Sequence, residues 1–222
     1  ITTTEIYFNY GLRMNLKNIY WYFQEVLSPR FCDELIEYGN SQKEHRGVTG
    51  KFQDKKNLGG AQLKDLKKKR DSNIAWLSDQ WIYKEVQPYV KIANKNAGWN
   101  FQWDVSESCQ FTKYKLNQYY GWHCDSWDVP YNEPKDINLH NKIRKLSVTV
   151  SLTDPKDYIG GELEFARSNN EPGKKIATTV CTEIIPRGSI VVFPSFLWHR
   201  VNKVTQGVRH SLVMWSCGKP YH

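Results

Sequence analysis

The alternation Leu146, Ser147, Val148, Thr149, Val150, Ser151, Leu152 constrains this chain most. Apolar and small polar residues trade places with period two, the pattern of a strand that offers different chemistry on its two faces. It stands among other short β-rich segments, 108–114, 162–165, 176–185, 190–193 and 211–215, separated by Gly, Pro, Asn and Asp. Together these predict a mainly β architecture with α support: a double-sheet barrel of the jelly-roll kind.

The first half reads differently. Ser28-Pro29 predicts an N-cap and first helical position, with Phe31, Cys32, Leu35 and Ile36 following at helical spacing and Gly39 as the stop. Residues 81–97 place Ile82, Val86, Tyr89, Val90, Ile92 and Ala93 at helical spacing, and Pro88 is expected to kink or split that helix. Residues 74–77 read as a short strand. Between the helices, 41–71 is polar, with Gly47, Gly50, Gly59 and Gly60 among many Lys, and predicts a long mobile loop or pair of loops. The expected organisation is a possible tag or leader at 1–13, a helical support region at 14–106 and the barrel core at 107–222, in one structural domain.

Aromatic residues make up 14% of the chain, nine of them Trp, which excludes a disordered polypeptide. No run approaches the length of a transmembrane helix, and the N-terminus has no signal-peptide pattern. Five widely spaced Cys without a CxxC argue for a reduced cytoplasmic setting over a disulfide scaffold or zinc ribbon. A net charge of +8 favours acidic partners without requiring nucleic acid. The densest run, Lys67-Lys68-Lys69-Arg70, reads as a solvated loop or helix end.

The chemistry concentrates in His123-Cys124-Asp125. On a strand, His123 and Asp125 project from one face and Cys124 from the other. An imidazole and a carboxylate on one face make two corners of a two-His-one-carboxylate metal site. Taken alone, HxD is common by chance. His199, at the start of a later strand, can supply the third corner from a non-adjacent strand across the barrel mouth; alone it would read as a core histidine beside Trp198. Ten residues on, Arg209 shares a strand face with Ser211, Val213 and Trp215. A guanidinium inside a barrel needs a partner. Either a protein Asp or Glu provides it, or an acidic co-substrate does, held bidentately with help from the Ser211 hydroxyl. His210 faces the other way.

The set His123-x-Asp125, His199 and Arg209-x-Ser211 resembles the Fe(II)- and 2-oxoglutarate-dependent dioxygenases. The closer likeness is to the prolyl 4-hydroxylase-type branch with its bacterial and phage relatives. The strand at 146–152, the Gly160-Gly161 turn and Pro186-Arg187-Gly188-Ser189 leading to Phe193-Pro194 are similar too, so the likeness covers 107–217. It implies a distorted, cupin-like double-stranded β-helix buttressed by N-terminal helices. It implies that His123, Asp125 and His199 hold Fe(II), and that Arg209 with Ser211 holds the distal carboxylate of 2-oxoglutarate. Tyr114 would lie against the co-substrate and Trp215 would line the pocket; core packing is the alternative for both. Thr149 and Val150 occupy positions where some prolyl hydroxylases have a co-substrate Tyr.

The implied activity is hydroxylation of an unactivated C–H bond, first of all on a prolyl residue of a protein or peptide, with release of succinate and CO₂. Ascorbate is the implied reductant, and the implied setting is the cytoplasm of a bacterial or phage-infected cell. Another side chain or a free amino acid is the next candidate substrate. A nucleic-acid demethylase would carry a second Arg where Trp215 stands, and a halogenating relative would lack Asp125. A non-enzymatic ligand-binding jelly roll would not need the triad and Arg209 together. The segments 47–70 and 126–144 are expected to close over an extended peptide, with Trp127 and Tyr131 offering faces to a Pro ring.

Overall fold

The computed structural model describes residues 16–49, 59–126, 129–132, 136–168, 172–173 and 176–221. The expectations for 1–13 and Trp127, and for 50–58 within the predicted closing segment, lie outside these residues. In chain order the elements are β1 (Trp21–Phe23), α1 (Pro29–Ser41), β2 (His45–Arg46), α2 (Gly60–Lys69), β3 (Arg70–Asp71), β4 (Asn73–Leu77), α3 (Gln80–Asn96) and β5 (Val105–Ser106). They continue as β6 (Cys109–Tyr114), β7 (Tyr119–His123), β8 (Ile143–Ser151), β9 (Tyr158–Gly160), β10 (Leu163–Ala166) and β11 (Thr178–Val180). The last are β12 (Ile190–Pro194), β13 (Trp198–Val201), β14 (Val204–Gly207) and β15 (Arg209–Gly218).

The larger sheet runs β1-β12-β8-β15-β6-β4-β2, with β5 also on β15; the smaller runs β11-β10-β13-β7-β3. Every pairing in both is antiparallel. This is the double-stranded β-helix the sequence suggested, with helices as its support. No described helix is long and apolar enough to cross a membrane.

Strand β8 carries the predicted alternation, yet all nine of its residues are buried. Leu146, Val148, Val150 and Leu152 join Leu212 and Met214 of β15 in the main core, with Phe31 and Leu35 of α1 and Ile82, Val86 and Val90 of α3. The other face turns inward, between the sheets. Burying this apolar set is the main stabilising contribution, each large side chain giving about 1.5–3 kcal/mol.

Helix α1 starts as expected, with Ser28 Oγ accepting from Phe31 N at 3.1 Å. Gly39 does not end it. A Cβ there would lie 2.5 Å from the Phe111 ring, so its place is a contact between α1 and β6. Helix α3 runs unbroken through Pro88. One lost backbone hydrogen bond is outweighed by the buried stripe Ile82, Val86, Val90 and Ala93.

The polar stretch 41–71 is also not all loop: it contains β2, α2 and β3. Helix α2 shows little periodicity because only Leu63 and Leu66 are large and apolar, and Leu66 alone is fully buried. Its start is fixed by Gln62, whose Oε1 accepts from Gly59 N at 3.1 Å. Within the predicted strand 176–185, only β11 is strand; a 3₁₀ turn at Thr182–Ile184 follows.

Candidate active site

Strands β7 and β13 are direct neighbours, not strands meeting across a mouth as expected, and His199 pairs with His123 in register. A bulge follows, so that Val201 pairs with Tyr120: two steps on β13 match three on β7. This brings Tyr120 and His123, three apart, onto one face. Their rings stack at 3.5 Å between centroids and 9° between planes. A strict period of two hides that pairing.

Strand β7 ends at His123, so Asp125 is placed by a bend and not by strand alternation. The backbone amides of Asp125 and Ser126 both donate to Ser195 O, at 2.8 and 2.9 Å. The result is still convergence. His123 Nε2 lies 3.6 Å from Asp125 Oδ1, and His199 Nε2 lies 3.6 Å from Oδ2. One ligand atom from each of the three residues falls within 4.8 Å of the others. Among the described residues this is the one such His, Cys, Asp or Glu group.

Each imidazole has a set tautomer. His123 Nδ1 is 2.8 Å from Gly121 O, and His199 Nδ1 is 2.9 Å from Leu197 O. A proton on Nδ1 leaves the Nε2 lone pair facing Asp125. At 3.6 Å neither nitrogen hydrogen-bonds the carboxylate. Two imidazole nitrogens and a buried carboxylate around one point suit Fe(II), whose facial site takes this ligand set.

Asp125 is held further by Ser147, whose Oγ donates to Oδ2 at 2.7 Å and lies 2.9 Å from Ser195 Oγ. Burial alone would raise its pKa. The neighbouring His199, His123 and Arg144 outweigh that and bring it down to about 2. Burial, with His199 next to it, pushes the His123 pKa well below the usual imidazole value. Cys124 does not coordinate with this group: it lines the cavity wall while its thiol donates to Phe196 O at 3.0 Å.

The triad opens on a cavity of about 950 Å³, which Tyr114, Arg209, Ser211 and Trp215 also line. Arg209 is 3% exposed and pairs in register with Tyr114, its Cζ 5.7 Å from that ring. Among the described residues its one hydrogen bond is a long 3.4 Å contact to Ser211 Oγ, with Nη1 donating. Among the described residues no carboxylate pairs with it, as an internal salt bridge would require. Gly161, at φ +69°, lets the turn lie against the Arg209 stem, where a Cβ would sit 2.8 Å from Cδ.

Several contributors were not singled out from sequence. Arg144 makes a forked ion pair with Glu107, at 2.7 and 2.5 Å, and its guanidinium lies 3.8 Å from the Trp215 ring. The Tyr131 hydroxyl donates to the same Glu107 at 2.9 Å. Tyr131 is therefore tied into this network and is not among the side chains lining the cavity, contrary to its expected role against a Pro ring.

Residues 109–217 match the model of the 2OG-Fe(II) oxygenase superfamily. This stretch is a 2OG-Fe(II) oxygenase domain. Over 105 residues, 47% of this chain, it is 34% identical to a PKHD-type hydroxylase of Psychrobacter sp. strain PRwf-1. That match covers 36% of the relative's own length, so the chain spans well under half of the curated protein it resembles. The fold is shared with a viral collagen prolyl hydroxylase of Paramecium bursaria Chlorella virus-1, solved with 2OG (TM-score 0.59, 18% identity, 91% of this chain and 97% of that one). It is shared equally with a prolyl hydroxylase of Trichoplax adhaerens, solved with a hypoxia-inducible-factor peptide (TM-score 0.61, 16% identity, 97% and 93%).

Proposed function

We propose that this protein uses Fe(II) and 2-oxoglutarate to hydroxylate an unactivated C–H bond of a prolyl residue in a protein or peptide, releasing succinate and CO₂. One observation carries the reading. A single cavity joins a two-His-one-carboxylate cluster to a buried guanidinium that has no carboxylate partner among the described residues.

Fe(II) held by His123, Asp125 and His199 would supply the oxygen-activating chemistry. The rest falls to the side chains. Gly121 O and Leu197 O fix the two imidazoles, and Ser147 fixes the carboxylate. Arg209, with Ser211 and Tyr114 beside it, would take the distal carboxylate of 2-oxoglutarate through charge-assisted hydrogen bonds. Trp215, braced by Arg144, would shield that end of the cavity from water. The prolyl substrate is favoured by the two solved prolyl hydroxylases of the same fold, one of them bound to a peptide. Ascorbate would keep the iron reduced. Cysteines without disulfides suit work in a reducing cytoplasm.

Mass spectrometry of proline-containing peptides incubated with Fe(II), 2-oxoglutarate and ascorbate tests this. The expected result is one added oxygen on proline, matched by equimolar succinate. Oxygen found only on another side chain or a free amino acid would replace the prolyl assignment. Absence of iron-dependent succinate release would end the dioxygenase reading.

A further inference from the structure

A second buried guanidinium lines the same cavity. Arg70 of β3 is 4% exposed, and its Cζ lies 4.4 Å from the Tyr120 ring, which stacks on His123. Nε donates to Ser72 Oγ at 2.8 Å and Nη1 to Val48 O at 3.2 Å. Nη2 is buried and has no hydrogen-bond partner among the described residues. Leaving a charged donor unsatisfied is costly, so a ligand that fills it is strongly favoured.

Its position differs from that of Arg209. Strand β15 is central in the larger sheet, and Arg209 starts it. Strands β2 and β3 are the edges of the two sheets. Lys43, and His45 and Arg46 of exposed β2, line the cavity at this margin with Arg70. Among the described residues Lys43, Arg46 and Arg70 have no carboxylate partner. Among the described residues the sole carboxylate lining the cavity is Asp125, already in the triad.

We infer that Arg70, with Arg46 and Lys43, forms a second anion subsite that binds a carboxylate of the primary substrate at the open margin of the cavity. This rests on the dioxygenase reading and deepens it by naming a chemical feature of the substrate. The carboxylate has two sources, an acidic residue next to the target proline or the α-carboxylate of a free amino acid. Arg70 acts here as a specificity residue, separate from co-substrate binding.

Calorimetric titration of the protein loaded with 2-oxoglutarate and Mn(II), a redox-inert stand-in for Fe(II), tests it. The probes are a blocked tripeptide with Asp beside Pro against its Asn counterpart, and L-proline against L-prolinamide. One anionic probe is expected to bind about tenfold or more tighter than its amide partner, the value of a charge-assisted contact, and the pair that shows this names the source. Arg70→Gln should erase the preference without changing 2-oxoglutarate affinity. Arg70→Lys should keep part of it, because a point charge remains without the fork. Arg46→Gln, at an exposed position safe for folding, should weaken it by a smaller factor. The inference is overturned if neither pair shows a preference, if the preference survives Arg70→Gln, or if Arg70→Gln weakens 2-oxoglutarate as Arg209→Ala does. Failure of the unaltered protein to bind Mn(II) and 2-oxoglutarate at all would count against the dioxygenase reading instead.

Discussion

On one face of β8 and β15, Leu146, Val148, Val150, Leu212 and Met214 meet the helices in the main core. On the other, Ser147 holds Asp125, and Thr149, Ser211 and Trp215 line the cavity. Most side chains on both faces are buried, so exposure to bulk solvent does not explain the alternation. The apolar set is selected by packing, whereas the polar set is tolerated inside because each group faces a ligand position or a partner. The same two strands therefore separate stability from chemistry by side-chain parity alone.

Substitutions on the two faces should fail in different ways. The largest effect is expected from Leu212→Ala, fully buried on the core face: about 2–5 kcal/mol of stability. Calorimetry should show a fall of about 2–4 °C in Tm per kcal/mol for a chain of this size. The 2-oxoglutarate requirement of the folded fraction should not move. An altered requirement would show that the faces are coupled.

Arg209→Ala, on the cavity face, should remove about 1.5–3 kcal/mol of co-substrate binding, or about tenfold to a hundredfold in the 2-oxoglutarate requirement. Iron affinity should persist. Unchanged dependence of succinate release on 2-oxoglutarate would remove Arg209 from its assigned role. Ser147→Ala should weaken metal binding by about 10–100-fold, the usual effect of losing a partner of a ligating group. Metal titration with the co-substrate held saturating checks this, and intact affinity would reduce Ser147 to packing.

The smallest effect concerns His210, which sits on the core face, stacked on Phe111 with its Nδ1 3.1 Å from Thr153 Oγ1. Burial first, then Lys113 and Arg209, lower its pKa from 6.5 to about 4. The unfolded chain thus takes up the proton first. His210 contributes its stability fully above about pH 6.5 and loses it as the pH falls toward 4. After allowance for partial exposure the loss is about 1 kcal/mol. His210→Gln should flatten this part of the stability–pH curve, and an unchanged slope would place the acid sensitivity elsewhere.

Much of this division was legible in the sequence. The alternation of 146–152 and the set His123, Asp125, His199 and Arg209 depend on residue type and spacing, which sequence carries directly. What escaped depends on register. Tyr120 reaches His123 through a bulge, and Ser147 reaches Asp125 from a strand in the other sheet. Neither leaves a local signal. Arg70 closed a run of lysines and read as solvent-facing, because nothing in Lys67-Lys68-Lys69-Arg70 marks where the helix ends and an edge strand turns one side chain inward.

The most direct test is diffraction at the iron edge from crystals grown without oxygen, containing Fe(II) and 2-oxoglutarate. The account predicts one anomalous peak bounded by His123 Nε2, Asp125 and His199 Nε2, with the distal carboxylate of 2-oxoglutarate on Arg209 and Arg70 left free. Iron held by other residues, or that carboxylate resting on Arg70, would contradict it.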